Sequence, residues 1–417
     1  MMIEALKQLV AIPSVTGAPA EPGMPYGKNV HDTLEKALEL CGELGFRTKK
    51  VGEFLGYAEI GQGEELMGIL AHLDVVPPGN GWDHDPFGGE IADGKIYGRG
   101  VVDDKGPAVA AMYAMKEVLD AGKPLNKRVR LIFGCQEEEG DWDDMEYYKA
   151  HEEIPSFGFT PDADFPATYG EKGILVVVVS MDAMASGFWE ITGGKAANMV
   201  ADHAKAVLSD GTILEEHGKS AHGSMPEEGE NAITKLMEQA AEKDCPFANF
   251  YMDKIGWSLD GSKFGVDLCD EASGGLTFSV GKIDMEDGKV VMKVDIRCPV
   301  TYGPEDILQP MRTAAAKQGL TVDMEMWKKP VYMDAHGPVI EKLMEAYREV
   351  TGDDTPAAVM GGGTYARAMD NVVAFGPVFP GRECTEHKPN ECIHLEDLEK
   401  AKNIYKLAIE KLACEGA

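Results

Sequence analysis

Apolar and polar positions follow two periods along this chain, and these periods predict alternating helices and strands. In residues 1–10 apolar side chains recur every three or four positions, the spacing of an amphipathic helix. Short runs rich in apolar and β-branched residues, such as 67–71 and 128–134, are typical of buried strands. Strands that alternate with helices predict an α/β sandwich around a central sheet. The same patterns predict further strands at 47–51 and 55–60 and further helices at 29–44, 107–121, 338–350 and 395–412.

The pattern changes in the middle of the chain, where short strands and glycine-rich turns replace the long periodic segments. Here we predict strands at 188–191, 277–283 and 289–296 and helices at 199–209, 231–241 and 304–318. Long helices return after Gly337. The sequence therefore predicts an α/β domain in two parts, residues 1–176 and 333–417, and a second α/β domain, residues 177–332, inserted into it.

The net charge narrows the classes of partner. The 417 residues contain 40 Lys and Arg against 71 Asp and Glu, a formal charge of −31. Such a charge repels phosphate backbones and anionic lipid, so we expect neither a nucleic acid nor a membrane as partner. Eight cysteines are scattered without a Cys-x-x-Cys pair, which is typical of free thiols in a reducing compartment. Residues 1–10 have no secretion-signal pattern and no apolar run has membrane-spanning length, so we expect a cytoplasmic protein.

The stretch 68–107 carries the densest candidate chemistry. A predicted strand ends at His72, and because side chains alternate along a strand, His72 and Asp74 point the same way. Turn residues follow until Asp103 and Asp104 stand directly before a predicted helix. An acidic pair at that place usually caps the helix. Imidazole and carboxylate together are also what zinc- and manganese-type ions bind, so the stretch is a candidate metal site.

Three further groups could complete such a site. Glutamates occupy Glu137 to Glu139, after the predicted strand 128–134; adjacent carboxylates raise one another's pKa, which a bound cation would offset. Asp162 stands in a Pro-Asp-Ala-Asp turn, and His387 in a loop before the last helix. Each group alone is as typical of a solvated turn or a surface histidine. Only the combination points to a metal.

In combination these motifs resemble the co-catalytic metallopeptidase family of aminoacylases, carnosinases and glutamate carboxypeptidases. The motifs are His72-x-Asp74, Gly-Arg-Gly-x-x-Asp103-Asp104-Lys-Gly, Glu-Glu after a strand, Pro-Asp162-Ala, Gly-x-x-Ala-His222, Gly-Gly-Gly-Thr-Tyr and Glu-His387-x-x-Asn-Glu. They occur in the family's order over nearly the whole chain. The Tyr-Gly-Glu-Lys-Gly segment after Asp162, the glycine signature and the large insert are most similar to PepV-type bacterial dipeptidases.

The resemblance implies a catalytic domain of zinc-exopeptidase type, with the inserted domain as its lid. It also implies two divalent metal ions, zinc with manganese as the alternative. The metal ligands would be His72, Asp103, Glu138, Asp162 and His387, with Asp103 bridging both ions. The family's usual arrangement pairs His72 with Asp162 on one ion and Glu138 with His387 on the other, and the reverse split is the alternative.

By the same resemblance Glu137 is the general base, and Asp74 is the carboxylate that orients His72. His222, in the inserted domain, would donate to the tetrahedral oxyanion. Gln136 stands where the family often has Asp, and three glutamates follow it, so a shift by one position would exchange base and ligand. Two cations bridged by a carboxylate lower the pKa of a shared water. A carboxylate that binds neither ion can then take the proton and pass it to the leaving amine.

The resemblance also implies how substrate is held. Arg297 would grip the substrate carboxylate with its bidentate fork, although an ion pair would equally account for an arginine in so acidic a chain. Asn198, Gly363 and Thr364 would make further substrate contacts. Dimeric relatives take the oxyanion histidine from the partner subunit. The large insert would supply it within one chain here, so we expect a monomer.

We therefore expect a cytoplasmic hydrolase: a metal-dependent dipeptidase in which a metal-bridged water attacks the peptide bond of a dipeptide, with Glu137 as general base. The alternative within the family is an N-acyl-amino-acid amidohydrolase, a deacylase or desuccinylase, which needs no free amino terminus. The rival from another class is a non-catalytic acidic metal-binding or scaffold protein. A small peptide is the expected partner.

Overall fold

The computed structural model describes residues 1–140 and 142–414. Among these residues it contains the α-helices α1 (Met2–Val10), α2 (Lys28–Glu43), α3 (Lys105–Asp120), α4 (Asp143–His151), α5 (Ala183–Ser186), α6 (Ala232–Ala241), α7 (Pro246–Lys254), α8 (Pro304–Ala316), α9 (Pro338–Thr351) and α10 (Leu395–Ile409). Short 3-10 turns occur at Pro226–Glu228, Ser262–Phe264 and Tyr365–Ala368, and α10 ends in a π-helical turn, Glu410–Cys414.

The strands alternate with these helices along the chain. They are β1 (Arg47–Val51), β2 (Leu55–Ile60), β3 (Leu66–His72), β4 (Glu90–Ala92), β5 (Lys95–Tyr97), β6 (Arg128–Gly134), β7 (Phe157–Thr160), β8 (Ala163–Asp164), β9 (Ala167–Glu171), β10 (Gly173–Asp182), β11 (Phe188–Gly193), β12 (His203–Leu208), β13 (Ile213–His217), β14 (Cys269–Asp270), β15 (Gly274–Gly275), β16 (Thr277–Glu286), β17 (Lys289–Cys298), β18 (Thr321–Lys328), β19 (Val331–Tyr332), β20 (Ala358–Met360), β21 (Val372–Phe375), β22 (Pro377–Val378) and β23 (Cys392–His394).

The described chain divides into two compact units. Unit 1 holds residues 1–169, 333–358 and 364 onwards, and unit 2 holds residues 170–332 and 359–363. Both units combine helices with a large sheet, so the predicted α/β class with an inserted α/β domain is confirmed. The division after residue 169 lies ahead of the predicted boundary at 176, because β10 pairs with β17 and β18 along its length and so belongs wholly to unit 2. Residues 359–363 also belong to unit 2, although they were assigned to the second part of the first domain.

Unit 1 is built on a sheet with the order β1-β2-β6-β3-β7-β21-β9. Its four central strands, β6, β3, β7 and β21, are parallel to one another, whereas β1, β2 and β9 join antiparallel. Both faces are covered: Ile69 and Leu131 belong to one buried apolar cluster, and Leu70 and Ile132 to a second one. A parallel sheet needs this double cover. Its strands accordingly read as continuous apolar runs.

One helix of unit 1 is buried along most of its length. α3 packs against β3 and β6 and against α1 and α10. Its alanines, together with Val109 and Met112, are inaccessible to solvent. Because this core fixes the helix, it also fixes the loop that enters the helix at Asp104.

Unit 2 contains a seven-stranded antiparallel sheet in the order β13-β12-β11-β16-β17-β10-β18. α6, α7 and α8 bury their apolar faces in the core of this unit. α6 begins as predicted: the side chain of Asn231 accepts hydrogen bonds from the backbone N–H groups of Ile233 and Thr234.

The helix predicted at 199–209 is wrong, because this segment contains β12. Ala204, Ala206 and Leu208 are buried, and the residues between them are more accessible. This alternation has the period of a strand that is buried on one face. The sheet partners β11 and β13 supply the backbone hydrogen bonds that stabilise it, and the local sequence does not reveal those partners.

No helix among the described residues is long and apolar enough to span a membrane.

Candidate metal centre

Parallel strands bring the candidate ligands to one edge of the unit 1 sheet. β3 ends at His72, and the register places His72 beside Gly134, the last residue of β6. The glutamates at 137–139 follow β6, and Asp162 follows β7, the neighbour of β3 on its other side. Because the carboxyl ends of parallel strands meet at one edge, three separate parts of the sequence converge there.

Asp103 lies between two imidazole rings. Its Oδ1 is 2.8 Å from Nε2 of His72, and its Oδ2 is 2.9 Å from Nε2 of His387. Nε2 of His387 is also 3.2 Å from Oε2 of Glu138. On the other side, Nε2 of His72 is 3.8 Å from Oδ2 of Asp162. All five predicted metal ligands are therefore gathered around one carboxylate, with one oxygen turned to each histidine.

The three glutamates take different positions. Glu138 offers an oxygen within 4.8 Å of ligand atoms of His72 and Asp103, whereas Glu137 does so with His72 and Asp162. Glu139 belongs to neither group; one of its oxygens accepts a hydrogen bond from Nε2 of the Gln136 amide at 3.2 Å. The two candidates for base and ligand are thus adjacent carboxylates in one cluster, and the third glutamate lies outside it.

The carboxylate of Asp74 lies closer to the backbone of the glutamate turn than to the ring of His72. Its two carboxylate oxygens accept the backbone N–H groups of Glu137 and Glu138, each at 3.1 Å. Nδ1 of the His72 ring is 2.9 Å from the carbonyl oxygen of Asp74 and 3.5 Å from its carboxylate. The Asp74 side chain thus positions the glutamate turn, and both its carbonyl oxygen and its carboxylate face Nδ1 of His72, so its role in orienting His72 stays a prediction.

Asp104 does not cap α3 with its side chain, although it is the residue at the N-cap. Its carboxylate accepts the backbone N–H of His72 at 3.1 Å instead, and it is fully buried. The Asp103–Asp104 peptide bond is cis. The acidic pair therefore belongs to the site, not to helix capping.

Glu391 fastens the loop that carries Asp103. Its carboxylate pairs with Nη1 of Arg99 at 2.5 Å and accepts the N–H groups of Gly100 at 3.1 Å and Val102 at 2.8 Å, with that of Asp103 at 3.3 Å. Glu391 is 0% and Arg99 1% exposed. In the sequence this glutamate belongs to the His387 motif, and no role was predicted for it. The sequence shows that Glu391 stands four positions after His387, but its burial is visible only in the structure.

A second buried network supports the glutamate turn from behind. The hydroxyl of Tyr365 donates to Oδ2 of Asp144 at 2.7 Å and accepts the backbone N–H of Gln136 at 3.2 Å. The same Asp144 oxygen accepts the N–H of Cys135 at 2.7 Å. Burial raises the pKa of Asp144 to about 6, although these hydrogen bonds oppose the rise. The sequence gives no spacing signal for this pairing, because 221 positions separate Asp144 from Tyr365.

The cluster holds more negative charge than its histidines can balance. Burial, then the neighbouring Asp103, raises the pKa of Asp162 to about 8, and burial raises the pKa of Glu137 and of Glu138. Burial would lower the pKa of His387, but hydrogen bonds to Asp103 and Glu138 raise it to about 11. Four carboxylates and two imidazoles thus share one low-dielectric edge. Two divalent cations would supply the missing positive charge, and this mixed nitrogen and oxygen set suits zinc- or manganese-type ions.

The predicted substrate residues of unit 2 form a group of their own. The backbone N–H of Gly223 donates to the carbonyl oxygen of Asn198 at 2.7 Å, which sets Asn198 beside the loop of His222. Nδ1 of His222 accepts the backbone N–H of Ser224 at 3.2 Å. Nδ1 also lies 2.7 Å from Oγ of Ser224, so two contacts with Ser224 hold the ring.

Arg297 is buried and already paired. Its Nε and Nη2 donate to the two oxygens of Asp295 at 2.6 and 3.0 Å, and its Nη1 donates to the carbonyl oxygen of Gly361 at 2.7 Å. The ion pair left open by the sequence is therefore present. A guanidinium has five N–H donors, so two remain after these three bonds.

The glycine-rich signature divides between the units. Gly363 is exposed and belongs to unit 2, whereas Thr364 is buried and belongs to unit 1. The Thr364 hydroxyl accepts the backbone N–H of Ala366 at 3.1 Å and so caps the 3-10 turn that presents Tyr365. That bond gives Thr364 a structural task beside its predicted contact with substrate.

The chain is similar in sequence and in structure to known peptidases. The sequence model of "Peptidase family M20/M25/M40" matches residues 68–411. A protein of Bacillus subtilis (strain 168) named "Putative dipeptidase YtjP" is 37% identical over 435 residues, covering 94% of this chain and 93% of its own. Human carnosine dipeptidase 1 has a TM-score of 0.63 at 16% identity, covering 98% of this chain and 95% of its own. An M20 family metallo-carboxypeptidase of Sulfolobus solfataricus has a TM-score of 0.62 at 18% identity, covering 98% of each chain. These two solved structures show a common fold.

Proposed function

Because the chain belongs to peptidase family M20/M25/M40, and is thus a hydrolase of metallopeptidase type, we propose that it is a dipeptidase acting on short peptides with both ends free. Membership confirms the resemblance inferred from the motifs. One observation carries the proposal: the Asp103 carboxylate lies between His72 and His387, with Glu137 beside this group as a further carboxylate. The name of the B. subtilis relative supports the choice of dipeptides.

The residues present would hold two divalent ions, zinc with manganese as the alternative. His72 and Asp162 would bind one ion and Glu138 and His387 the other, with Asp103 shared, in agreement with the short contacts. When bound, the ions would activate a water and polarise the scissile carbonyl.

Glu137 is the proposed general base. Its carboxylate would take a proton from the attacking water and deliver it to the nitrogen of the leaving amine. The Asp74 carboxylate holds its backbone N–H, so the side chain starts from a fixed position. Burial, then the neighbouring Asp162, raises its pKa, and a higher proton affinity suits a base of this kind.

In unit 2, His222 would donate a ring N–H to the oxyanion, and the contacts of its Nδ1 with Ser224 hold the ring for this role. Arg297 would offer its two remaining N–H donors to the carboxylate end of the substrate, while Asp295 keeps the guanidinium plane in place. Asn198, Gly363 and Thr364 are proposed as further contacts. We also propose that the protein is a monomer, because the donor histidine is on the same chain, and that it works in the cytoplasm, because the spacing of its cysteines does not resemble a disulfide framework.

A substrate panel tests the reaction. Purified protein, reconstituted with zinc or manganese, is assayed on Xaa-Yaa dipeptides, on the same dipeptides with an N-acetyl group, and on tripeptides. The proposal expects free dipeptides to have the highest kcat/KM. Faster hydrolysis of the acetylated compounds would refute it in favour of an N-acyl-amino-acid amidohydrolase. No hydrolysis by fully metallated protein would favour the binding or scaffold protein.

Single Glu→Gln variants at 137, 138 and 139 test the assignment of base and ligand. Glu137→Gln should keep both metal ions and lose about 10²–10⁴-fold in kcat, the usual contribution of a general base. Glu138→Gln should lose metal. Glu139→Gln is the matched control and should change neither, since its carboxylate lies outside both ligand groups. If Glu137→Gln loses metal and Glu138→Gln keeps it, the two roles are exchanged.

A further inference from the structure

The outer strand pair of unit 2 gathers two histidines and a glutamate on one face. β12 and β13 are antiparallel, and their register sets His203 opposite His217 and Lys205 opposite Glu215. Side chains alternate along a strand, so Glu215 and His217 share a face. His203 shares it too, because opposite residues of an antiparallel pair point the same way. Glu215 and His217 are exposed and His203 is half-buried, so this face is open to solvent.

The three side chains are already within coordinating distance. Nε2 of His203 is 2.8 Å from Oε1 of Glu215. The two imidazole rings lie 4.9 Å apart at an angle of 35°. One ligand atom from each of the three residues falls within 4.8 Å of the other two. Tetrahedral ligands 2.0–2.2 Å from a zinc ion are roughly 3.5 Å apart, so only small rotamer adjustments are needed.

The donor set selects the class of ion. Two imidazoles and one carboxylate favour zinc and similar borderline ions over magnesium or calcium, which prefer oxygen alone. Two histidines and a glutamate are also a known three-ligand set that leaves one position for water. The side chains of His203 and Glu215 are 43% and 50% exposed, so a water can reach the fourth position. Two neutral imidazoles side by side are compatible with a metal, whereas two protonated ones would repel each other.

The cluster lies close to the loops that carry Asn198 and His222. β12 starts shortly after Asn198, and β13 ends shortly before His222. Beyond the strands, the N–H of Gly218 donates to the carbonyl oxygen of Asp202 and that of Val200 to the carbonyl oxygen of Ala221, each at 2.9 Å. These bonds join the two segments up to the loops of Asn198 and His222. The cluster therefore lies at the base of a stem that presents both residues.

We propose that His203, Glu215 and His217 form a transition-metal site of zinc type that clamps this stem. The site is made by unit 2 alone, and none of the five ligands predicted for the cluster of unit 1 takes part in it. It goes beyond the proposed function and does not depend on it, because a zinc ion bound here would be present whatever reaction the cluster of unit 1 catalyses. Binding would hold β13 to β12 and reduce the opening of residues 198–222.

Metal content of the full-length protein tests the site. Wild type and the double variant His203→Ala/His217→Ala are equilibrated with micromolar free zinc, passed through a desalting column and analysed by inductively coupled plasma mass spectrometry. The double variant should carry one zinc per chain fewer than wild type. Glu215→Gln should also weaken binding, and Glu216→Gln is the matched control, since Glu216 is the cross-strand neighbour of Ala204 and accepts from Nε2 of Gln239. Equal zinc in wild type and double variant would overturn the proposal.

A second measurement locates the ion. In a protein with Asp103→Ala and His387→Ala, the cluster of unit 1 is disabled, and one zinc per chain should remain. Adding His217→Ala should remove it. Hydrogen exchange should show slower exchange at 198–222 in zinc than in chelator, and no such difference in the His203→Ala/His217→Ala variant. Zinc that survives the added His217→Ala, or equal exchange in both conditions, would exclude the clamp.

Discussion

Removing Glu391 should damage both the fold of unit 1 and its metal site, although Glu391 is not a predicted ligand. In Glu391→Ala the buried Arg99 loses its carboxylate partner, and the N–H groups of Gly100 and Val102 lose their acceptor. In Glu391→Gln an oxygen remains for those N–H groups, but the charge is gone. The two variants therefore separate the charge pair from the hydrogen bonds.

The expected losses in free energy of unfolding follow from the burial of Glu391 and Arg99. Breaking a buried ion pair by removing one partner costs about 3–5 kcal/mol, because the other charge stays buried and unpaired. Leaving a buried backbone N–H without an acceptor costs about 1–3 kcal/mol more. We expect Glu391→Gln to lower the free energy of unfolding by about 3–5 kcal/mol, and Glu391→Ala to lower it by a further 1–3 kcal/mol or so. Such losses approach the whole stability of a typical domain.

The same change should weaken metal binding. The Glu391 carboxylate holds the backbone on both sides of Val102 and reaches the N–H of Asp103, so its loss frees the loop that sets the shared carboxylate. Groups that orient metal ligands are typically worth about 10–100-fold in metal affinity. We expect a loss of that size in Glu391→Gln, measured by competition with a fluorescent zinc chelator.

The assay pairs chelator competition with urea unfolding followed by circular dichroism. Glu396→Ala is the control: Glu396 also pairs with an arginine, Arg382, but its side chain is 64% exposed and Asp397 also holds Arg382. An exposed pair of this kind is worth at most about 1 kcal/mol. If Glu391→Ala were as stable as Glu396→Ala and bound zinc like wild type, the buried charge pair would have no role in the site.

Two further outcomes test the cluster and its support. Asp103→Ala should weaken binding of both ions by more than the roughly 10–100-fold expected for an orienting group, because the two oxygens of Asp103 face His72 and His387. A metal titration measures this loss. A fully metallated, active variant would contradict the assignment of Asp103 as the shared ligand. Asp144 has a pKa raised to about 6 by burial, so its contribution to stability is present at low pH and lost as the pH rises through about 6. Between pH 7 and pH 4, wild type should therefore gain about 2–3 kcal/mol over Asp144→Asn in urea unfolding of the metal-free protein, and a pH-independent difference would rule this out.

Much of the site could be predicted because its ligands follow strands directly. A buried strand is recognisable from a short apolar run, and parallel strands have their carboxyl ends at one edge. His72 and Glu138 each follow such a run, so bringing them together needed only the assumption that their two strands are neighbours. Asp162 stands in a turn, and its place among the ligands was implied by the family resemblance. The loop residue His387 has no such local signal, and its inclusion rested on the family resemblance.

Sequence patterns did not predict features that depend on contacts with residues far along the chain. The segment 199–209 has enough apolar residues for a helix, yet β11 and β13 make it a strand. Asp74 could be placed beside His72 by alternation, but its carboxylate turns to the N–H groups of Glu137 and Glu138, more than sixty positions away. Short-range periodicity carries no information about such contacts.

By itself the sequence determined the α/β class, the insertion, the strong negative charge and the residue types from which a two-metal site could be made, because apolar periodicity and strand-end position are local properties. Tertiary structure alone decided which oxygen of Asp103 faces which histidine, that Glu391 and Arg99 anchor that loop, and that His203, Glu215 and His217 meet on one face. Those contacts join residues that are distant along the chain or depend on strand register. Sheet pairing and core packing set them, and neither can be read from the spacing of residues along the chain.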